Sequence, residues 1–493
     1  MDNTSYTPEE PIAAIATALA PSALGIIRMS GKNSIELLSK LFSRPKALLE
    51  AQGNTIVYGW IKDGEKRIDE VLVSVFRAPK SFTGEDMAEI SCHGGTAVIT
   101  TIFNLLLKNG FRQAERGEYT FRAYINGKAD LTKAEAIREI IESRTDSGRG
   151  RAAGRLAGSL FEEISSIKKL VVDTLAAIEV EIEYPEDEET IADAFDRAGI
   201  VEAISRLKSL RDSWKSEKLF QDGARLVLCG KTNAGKSSLF NSMLKEDRAI
   251  VSDIEGTTRD WIESWISIDG IPARLFDTAG LRATDDYVEA VGVERTHDLS
   301  EDADVILYLQ DATQKINKDD LLFLKDFSKP VLFVWNKIDK LSDAGIASDA
   351  GNTNDTGTSC DADSPSVSNL LSEKIALSDE EKKMIPSLKK EIYLSAKKSD
   401  GIETLVNSIK DILTFGVDTN REQAGLGSAR QKAAVEEALS CVEHALVAAD
   451  DNYTLDAVVQ DLEDSLDYLG EITGEVTPDD VLGSIFANFC VGK

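Results

Sequence analysis

The stretch Gly230–Ser237, GKTNAGKS, constrains this chain more than any other. It reads as a glycine, four residues and then Gly-Lys-Ser, with the apolar run Ala224–Cys229 before it and a helix-compatible Ser238–Leu244 after it. A glycine-rich turn between a strand and a helix cradles phosphate, because loop amides and the positive helix end face the anion together. Lys236 is placed to reach the outer phosphates of a triphosphate, and the Ser237 hydroxyl is available to Mg²⁺. The architecture that presents such a loop is a doubly wound α/β sheet with its ligand at the strand ends.

Three further motifs follow in the order that a GTP site requires. DIEGTTRD, Asp253–Asp260, precedes the alternating strand Trp261–Ile268, and a threonine there completes the Mg²⁺ shell when a γ-phosphate is present. A hairpin turn at Asp269–Gly270 leads to the strand Ala273–Phe276 and to DTAG, Asp277–Gly280. Asp277 is expected to meet Mg²⁺ through water, and the Gly280 amide to sense the γ-phosphate. NKID, Asn336–Asp339, ends the buried strand Val331–Trp335, and SAK, Ser395–Lys397, follows the strand Glu391–Leu394. A carboxylate at Asp339 accepts from the N1–H and exocyclic amine of guanine, whereas adenine leaves it unpaired, a loss on the order of 10⁴ in discrimination.

The expected nucleotide contacts are therefore Asn233, Ala234, Gly235, Lys236, Ser237 and Ser238 of the phosphate loop. Ser252, Asp253, Ile254, Glu255, Gly256, Thr257 and Thr258 come next, then Asp277, Thr278, Ala279 and Gly280. Asn336, Lys337, Ile338 and Asp339, with Ser395, Ala396 and Lys397, read the base.

One group is missing. Ras-like GTPases keep a glutamine directly after the DxxG glycine to orient water, and here that place holds Leu281. Either hydrolysis is slow and the domain is only a switch, or another group does this work. Asn233 could bind a monovalent cation beside the phosphates, where an arginine finger would otherwise sit. Glu289 could position the water, or could be a solvated carboxylate at a helix start.

Around this core the spacing predicts other domains. Residues 1–125 read as a compact α/β domain, with strands at Gly25–Met29, Glu70–Phe76 and Met87–Cys92 and a helix over Gly94–Leu107. His93, beside Gly94–Gly95, reads as structural at a turn, since only three histidines occur in the chain. Residues 126–220 are helical: Leu160, Ile164, Ile167, Val171, Leu175 and Ile178 form one stripe, and a second helix covers about Asp193–Trp214. Residues 221–415 hold the nucleotide motifs, and helical spacing returns over 416–493, in Val435, Leu439, Val442 and Leu446 and in Leu455, Val459, Leu462, Leu466 and Leu469. Neither helical half closes a core by itself, so a single helical domain in two pieces, with the nucleotide domain inserted between them, is expected. Residues 341–385, rich in Ser, Asp, Gly, Thr and Asn, cannot repay their ordering entropy and are expected to be a mobile surface loop without chemistry.

Charge and cysteines narrow the setting. A net charge of −29 excludes a chain that holds RNA over its whole surface, so any RNA contact is local or shared with a basic partner. The five cysteines, Cys92, Cys229, Cys360, Cys441 and Cys490, are scattered without a CxxC spacing, as in a reducing cytoplasm without structural zinc. No run of eighteen apolar residues and no basic-then-apolar leader occur, so no membrane association or secretion is expected.

With these motifs in view, the chain resembles the MnmE (TrmE) family of tRNA-modification GTPases. The resemblance rests on SFTGED…SCHGG (Ser81–Gly95), GEYTFRAYINGKADL (Gly117–Leu131), GKTNAGKSS, DIEGTTRD, DTAGLR, NKID and the terminal FCVGK (Phe489–Lys493). It implies a mixed α/β and all-α multidomain fold: an N-terminal α/β folate-binding domain, a discontinuous helical domain and an inserted doubly wound Ras-like GTPase domain. It implies a flavoprotein partner of the MnmG kind, with which the C5 position of the wobble uridine of certain tRNAs is modified. It implies a tetrahydrofolate one-carbon unit as the source of the added methylene, and a homodimer.

By motif position the resemblance places folate contacts at Arg28, Glu85, Lys128 and Lys493. It places potassium on the Asn233 side chain, the Ser252 and Ile254 carbonyls and Thr257, magnesium on Ser237 and Thr258, and the water-positioning acid at Glu289. Cys490 reads equally as an exposed reactive thiol in the modification chemistry or as a small buried residue packing the tail. The competing reading is a GTP-driven interaction switch, such as a ribosome-assembly factor, which needs neither folate nor the FCVGK end.

Overall fold

The computed structural model describes residues 10–183, 195–245, 262–277, 301–341, 375–417, 424–450 and 455–492. The chain divides into two compact units, one of Met1–Ile141, Ala152–Arg211 and Ala424–Lys493, the other of Glu142–Arg151 and Asp212–Gln423.

The first unit is built on a six-stranded sheet of β1 (Ile12–Ile15), β2 (Leu24–Ser30), β3 (Thr55–Asp63), β4 (Lys66–Phe76), β5 (Met87–His93) and β6 (Arg112–Gln113), in the order β3-β4-β5-β2-β1-β6. Alternation of side chains across the pleat explains why these segments are strands. In β4, Val71, Val73 and Val75 turn into the core while Leu72 between them is exposed. The helix Thr96–Lys108 lays Ile99, Ile102, Leu105 and Leu106 into that core. His93 closes β5, where its Nδ1 lies 2.7 Å from Asp69 Oδ1, so its role is at a strand end and not in a turn.

Helices make up the rest of this unit. In Ser159–Glu183 the stripe is buried as its spacing predicts, with Leu160, Ile164, Ile167, Val171 and Ile178 shielded from solvent and Leu175 half-buried. The helix Ser159–Glu183 packs on Leu455–Thr473, which packs in turn on Ala429–Asp450, so segments on both sides of the nucleotide motifs share one bundle. The buried face of Leu455–Thr473 is Val458, Leu462, Ser465, Leu469 and Ile472, one position away from the expected Val459 and Leu466, which are half-buried. That spacing of four and three is the seam of two packed helices, and it admits Ser465 because its hydroxyl donates to the Leu462 carbonyl. The helix expected to end near Trp214 runs over Arg197–Asp222 and stops at Gly223, whose φ is +76°.

The second unit is a doubly wound sheet of β7 (Ala224–Gly230), β8 (Ile262–Ile268), β9 (Ile271–Asp277), β10 (Val305–Asp311), β11 (Val331–Asn336) and β12 (Leu388–Tyr393), in the order β12-β11-β10-β7-β9-β8. All neighbours are parallel except β8 and β9, which form a hairpin. Its turn has positive φ at both Asp269 and Gly270, the geometry that matches strand twist. Parallel strands buried on both faces read as continuous apolar runs, and every residue of β10 and β11 is buried.

Residues 342–374 of the expected loop lie outside the described residues. The rest of it differs from that expectation: Leu377 and Ile385 are buried in the core, and Ser378 and Glu381 form a capping box at the start of the helix Asp379–Lys383. Two apolar anchors and a cap outweigh the composition of the stretch around them. Among the described residues no helix is long and apolar enough to cross a membrane.

Candidate functional site

The strand order of the second unit reverses between β10 and β7, and the phosphate loop leaves β7 at that crevice. The loop is held from within by Lys236, whose ammonium donates to the Gly230 carbonyl at 2.5 Å and the Lys231 carbonyl at 2.9 Å. Burial pushes the Lys236 amine below its ordinary value, with Asp277 opposing the shift. A buried cation satisfied only by carbonyls is poised for an anion. Ser237 lies in the first turn of the helix Lys236–Lys245, and its hydroxyl lies 3.3 Å from Asp277 Oδ2 at the end of β9. Two hard oxygen donors meeting at the loop suit Mg²⁺.

Asn336 fastens the phosphate loop to the strand ends expected to read the base. Its Nδ2 donates to the Ala234 carbonyl at 2.8 Å, while its Oδ1 accepts from the amides of Lys337, at 2.8 Å, and Ala396, at 3.0 Å. The approach is so close that a Cβ at position 235 would lie 2.3 Å from Asn336 Nδ2, which explains Gly235. Ser395 donates its hydroxyl to Asp339 Oδ1 at 2.7 Å, orienting the carboxylate expected to read guanine. Lys337 reaches back with its ammonium to the Asn233 carbonyl at 2.5 Å and to Asp311 Oδ2 at 2.7 Å. Burial alone would raise the Asp311 carboxyl, but Lys337 and Thr313 hold it below its ordinary value. Gly235, Asn336, Lys337, Asp339 and Ser395 border a cleft of about 510 Å³, with Ser238, Lys340 and Lys397 on its walls.

Asn233 stands at the rim of the loop with φ +66°, its side chain exposed and its carbonyl taken by Lys337. Ser252, Asp253, Ile254, Glu255, Gly256, Thr257 and Thr258 lie outside the described residues, as do Thr278, Ala279, Gly280 and Glu289. Ile338 is half-buried against the core.

The second set of expected residues gathers on the first unit's sheet. Arg28 lies in the middle of β2, directly opposite Glu89 of β5. Its Nε and Nη2 each lie 2.8 Å from Glu89 Oε1, and its guanidinium carbon stands 5.8 Å from the Phe82 ring and 5.6 Å from the Tyr119 ring. Glu85 accepts from both Arg122 Nη1, at 3.2 and 3.0 Å, and the Ser30 hydroxyl, at 2.7 Å. Lys128 is near the same loop, its ammonium donating to the Pro79 carbonyl at 3.0 Å. Lys493 lies outside the described residues.

Cys490 is exposed, so the reading of it as a buried packing residue fails. Its neighbour Phe489 fills that role, 3% exposed beside Phe486, Leu131, Ala134 and Leu482. Among the described residues no group of three or more His, Cys, Asp or Glu could hold a metal ion.

Sequence reasoning passed over Asp311, Glu89, Arg122 and Glu118. Arg122 is wholly buried between Glu85 and Glu118, with Nη2 2.8 Å from Glu118 Oε1. Its signal was the Glu118–Arg122 spacing inside the GEYTFRAYINGKADL block, where two charges four apart meet on one helix face.

Residues 131–490 match the family described as MnmE helical domain, and residues 11–128 match the family described as GTP-binding protein TrmE N-terminus. The chain is similar to the tRNA modification GTPase MnmE of Treponema denticola, with 50% identity over 497 residues covering 99% of each chain. It is similar to the proteins of that name from Treponema pallidum, 40% identical over 501 residues and 99% of each chain, and Borreliella afzelii, 40% identical over 493 residues and 98% of each. Identity of this degree across the GTPase unit, the N-terminal domain and the tail together leaves one conclusion: the chain belongs to the MnmE family of tRNA-modification GTPases.

Proposed function

We propose that this GTPase hydrolyses GTP in a potassium-dependent cycle and, with an MnmG-like flavoprotein partner, modifies the C5 position of the wobble uridine in tRNA. The reading is carried by the full-length relationship, 50% identity over 99% of each chain, in a sequence that itself joins the GTPase motifs, the N-terminal blocks and the FCVGK end.

In the GTPase unit, Lys236 and the loop amides bind the phosphates, and Asn336, Asp339 and Ser395 orient guanine. Ser237, with Thr258, would hold Mg²⁺, which neutralises the phosphate oxygens. The Asn233 side chain, the Ser252 and Ile254 carbonyls and Thr257 would hold K⁺, which supplies the positive charge that other GTPases take from an arginine. Glu289 positions the attacking water in place of the glutamine missing at Leu281.

In the N-terminal domain, Arg28, Glu85, Lys128 and Lys493 are the contacts for a tetrahydrofolate derivative, which supplies the one-carbon unit. The buried Arg122 beside Glu85 fixes that carboxylate in direction, fitting it to accept from pterin N–H groups. Cys490 serves the modification chemistry as an exposed thiol. The protein works as a cytoplasmic homodimer, and tRNA is shared with the flavoprotein, which supplies positive charge that a chain of net charge −29 lacks.

The test is mass analysis of tRNA nucleosides from cells with and without this protein. Loss of a C5 substituent from wobble uridines supports the reading. An unchanged nucleoside profile overturns it and favours the interaction switch.

A further inference from the structure

The last residues of the chain lie on the sheet of their own unit as a short bow fastened at both ends. At one end Phe489 is buried in an aromatic cluster, its ring centroid 5.4 Å from that of Phe486. At the other end Gly492 is buried, with φ +93°, and a Cβ there would lie 3.1 Å from the Ile15 carbonyl and 3.4 Å from Ala16 Cα. Only glycine adopts that conformation in that space without strain. Between the two anchors Arg116 and Val491 form an antiparallel bridge, the Gly117 amide faces the Cys490 carbonyl at 3.4 Å, and Cys490 and Val491 are exposed.

A side chain completes the second anchor. Arg28 Nη1 donates to the Gly492 carbonyl at 3.0 Å. The opposite edge of the same guanidinium is turned to Glu89, and the Arg28 carbonyl accepts from the Tyr119 hydroxyl at 2.8 Å. Tyr119 is wholly buried, so the arginine is fixed at its backbone, at its plane and at its tip.

We infer that Arg28 is a positioning residue which, with its plane set by Glu89, clamps the Gly492 carbonyl and so holds Cys490 out at the front of the N-terminal sheet. A guanidinium has five N–H donors in a rigid fork, and a partly buried one paired with a carboxylate gives a stronger bond to a carbonyl than a free lysine can. The clamp deepens the proposed function, since it defines how the tail is presented to the modification chemistry. Its own existence is independent of that chemistry.

The experiment is limited digestion of the full-length protein by a broad-specificity carboxypeptidase, with the C-terminal peptide followed by mass spectrometry. Wild type, Arg28→Met, Arg28→Lys and Glu89→Gln are compared, and the urea-unfolding transition of each protein serves as the control for a folded chain. Removal of residues back through Val491 is expected to be about tenfold faster in Arg28→Met, the change that corresponds to about 1.4 kcal/mol. Arg28→Lys recovers part of the protection because one donor can still reach the carbonyl, and Glu89→Gln falls between Met and wild type. Equal trimming of all four proteins overturns the clamp. So does a weaker affinity of Arg28→Met for a tetrahydrofolate with the tail as protected as before, which would make Arg28 a ligand contact only. Intact clamp behaviour with an unchanged tRNA nucleoside profile would instead leave the clamp standing and defeat the proposed function.

Discussion

Asn336 Nδ2 donates to the Ala234 carbonyl at 2.8 Å, so the strand end proposed to read the base also holds the loop proposed to bind the phosphates. Both sides of the amide are in use, since Oδ1 accepts the amides of Lys337 and Ala396. Base recognition and phosphate binding are therefore one rigid body within this unit, and a change at Asn336 is felt at both ends of the nucleotide.

Asn336→Ala would strip the Ala234 carbonyl and the Ala396 amide of partners in a buried place. At about 1.5 kcal/mol for each unmade bond, guanine nucleotide binding should weaken on the order of 100-fold. Titration with a fluorescent GDP analogue measures it. The loss should appear equally for GDP and GTP, because the bond acts on the loop and not on the γ-phosphate.

Asp339 is a test of base choice. Its carboxylate is oriented by the Ser395 hydroxyl at 2.7 Å. Asp339→Asn replaces one of the two carboxylate oxygens by a donor NH2, so guanine loses the bond from its exocyclic amine and meets a donor there, while xanthine, which carries a carbonyl in place of the amine, gains one bond. The expected result is a fall in GDP affinity of about two to four orders of magnitude with a rise for xanthosine diphosphate. Competition binding with the two diphosphates decides it.

How much of this was legible in the sequence depends on the range of the interactions. The strands β4, β7 and β11 announce themselves because alternation or continuous apolar character is written into adjacent residues. The GTP motifs are legible for the same reason, each being a contiguous string on one strand end. Arg122 is legible only in part: its spacing to Glu118 marks an ion pair on one helix face, but its other partner Glu85 is 37 residues away, and its full burial comes from the tertiary fold. Arg28 and Gly492 are separated by 464 positions, so their bond belongs to the tertiary fold alone. The buried face of Leu455–Thr473 slipped by one position because Val458 and Val459 are equally apolar, and only the packing of the neighbouring helices chooses between them.

Asn233 carries the prediction on cations. Its backbone is held in the left-handed region by the turn and by Lys337, which leaves the side chain exposed at the rim of the phosphate loop. Potassium should stimulate GTP hydrolysis and sodium substitute poorly. Asn233→Ala should bring the rate in potassium down towards the rate in sodium, a loss of about tenfold or more. Steady-state phosphate release in the two salts measures this. Equal rates in wild type remove the asparagine from the mechanism.

Glu118 governs the acid stability of the N-terminal domain. Burial by itself would raise its carboxyl, but Arg112, the Glu115 amide and Arg122 together hold it below the ordinary 4.5. Arg112 Nη2 and Arg122 Nη2 approach the same Oε1 at 2.6 and 2.8 Å, and the Glu118 and Arg122 side chains are 3% and 0% exposed. A carboxyl whose folded value lies below its unfolded one stabilises the fold above the unfolded value and ceases to do so as pH falls through the folded value. Glu118→Gln leaves the Arg122 guanidinium buried with Glu85 as its remaining acid partner, so it should cost about 3 kcal/mol at neutral pH. Urea unfolding followed at about pH 7 and again at a pH below 4.5 should show that gap narrowing in acid, because the unfolded wild-type carboxyl then takes up a proton while the glutamine does not titrate. A gap that stays constant across this range would mean that Glu118 acts through packing, and that its charge contributes nothing to the burial of Arg122.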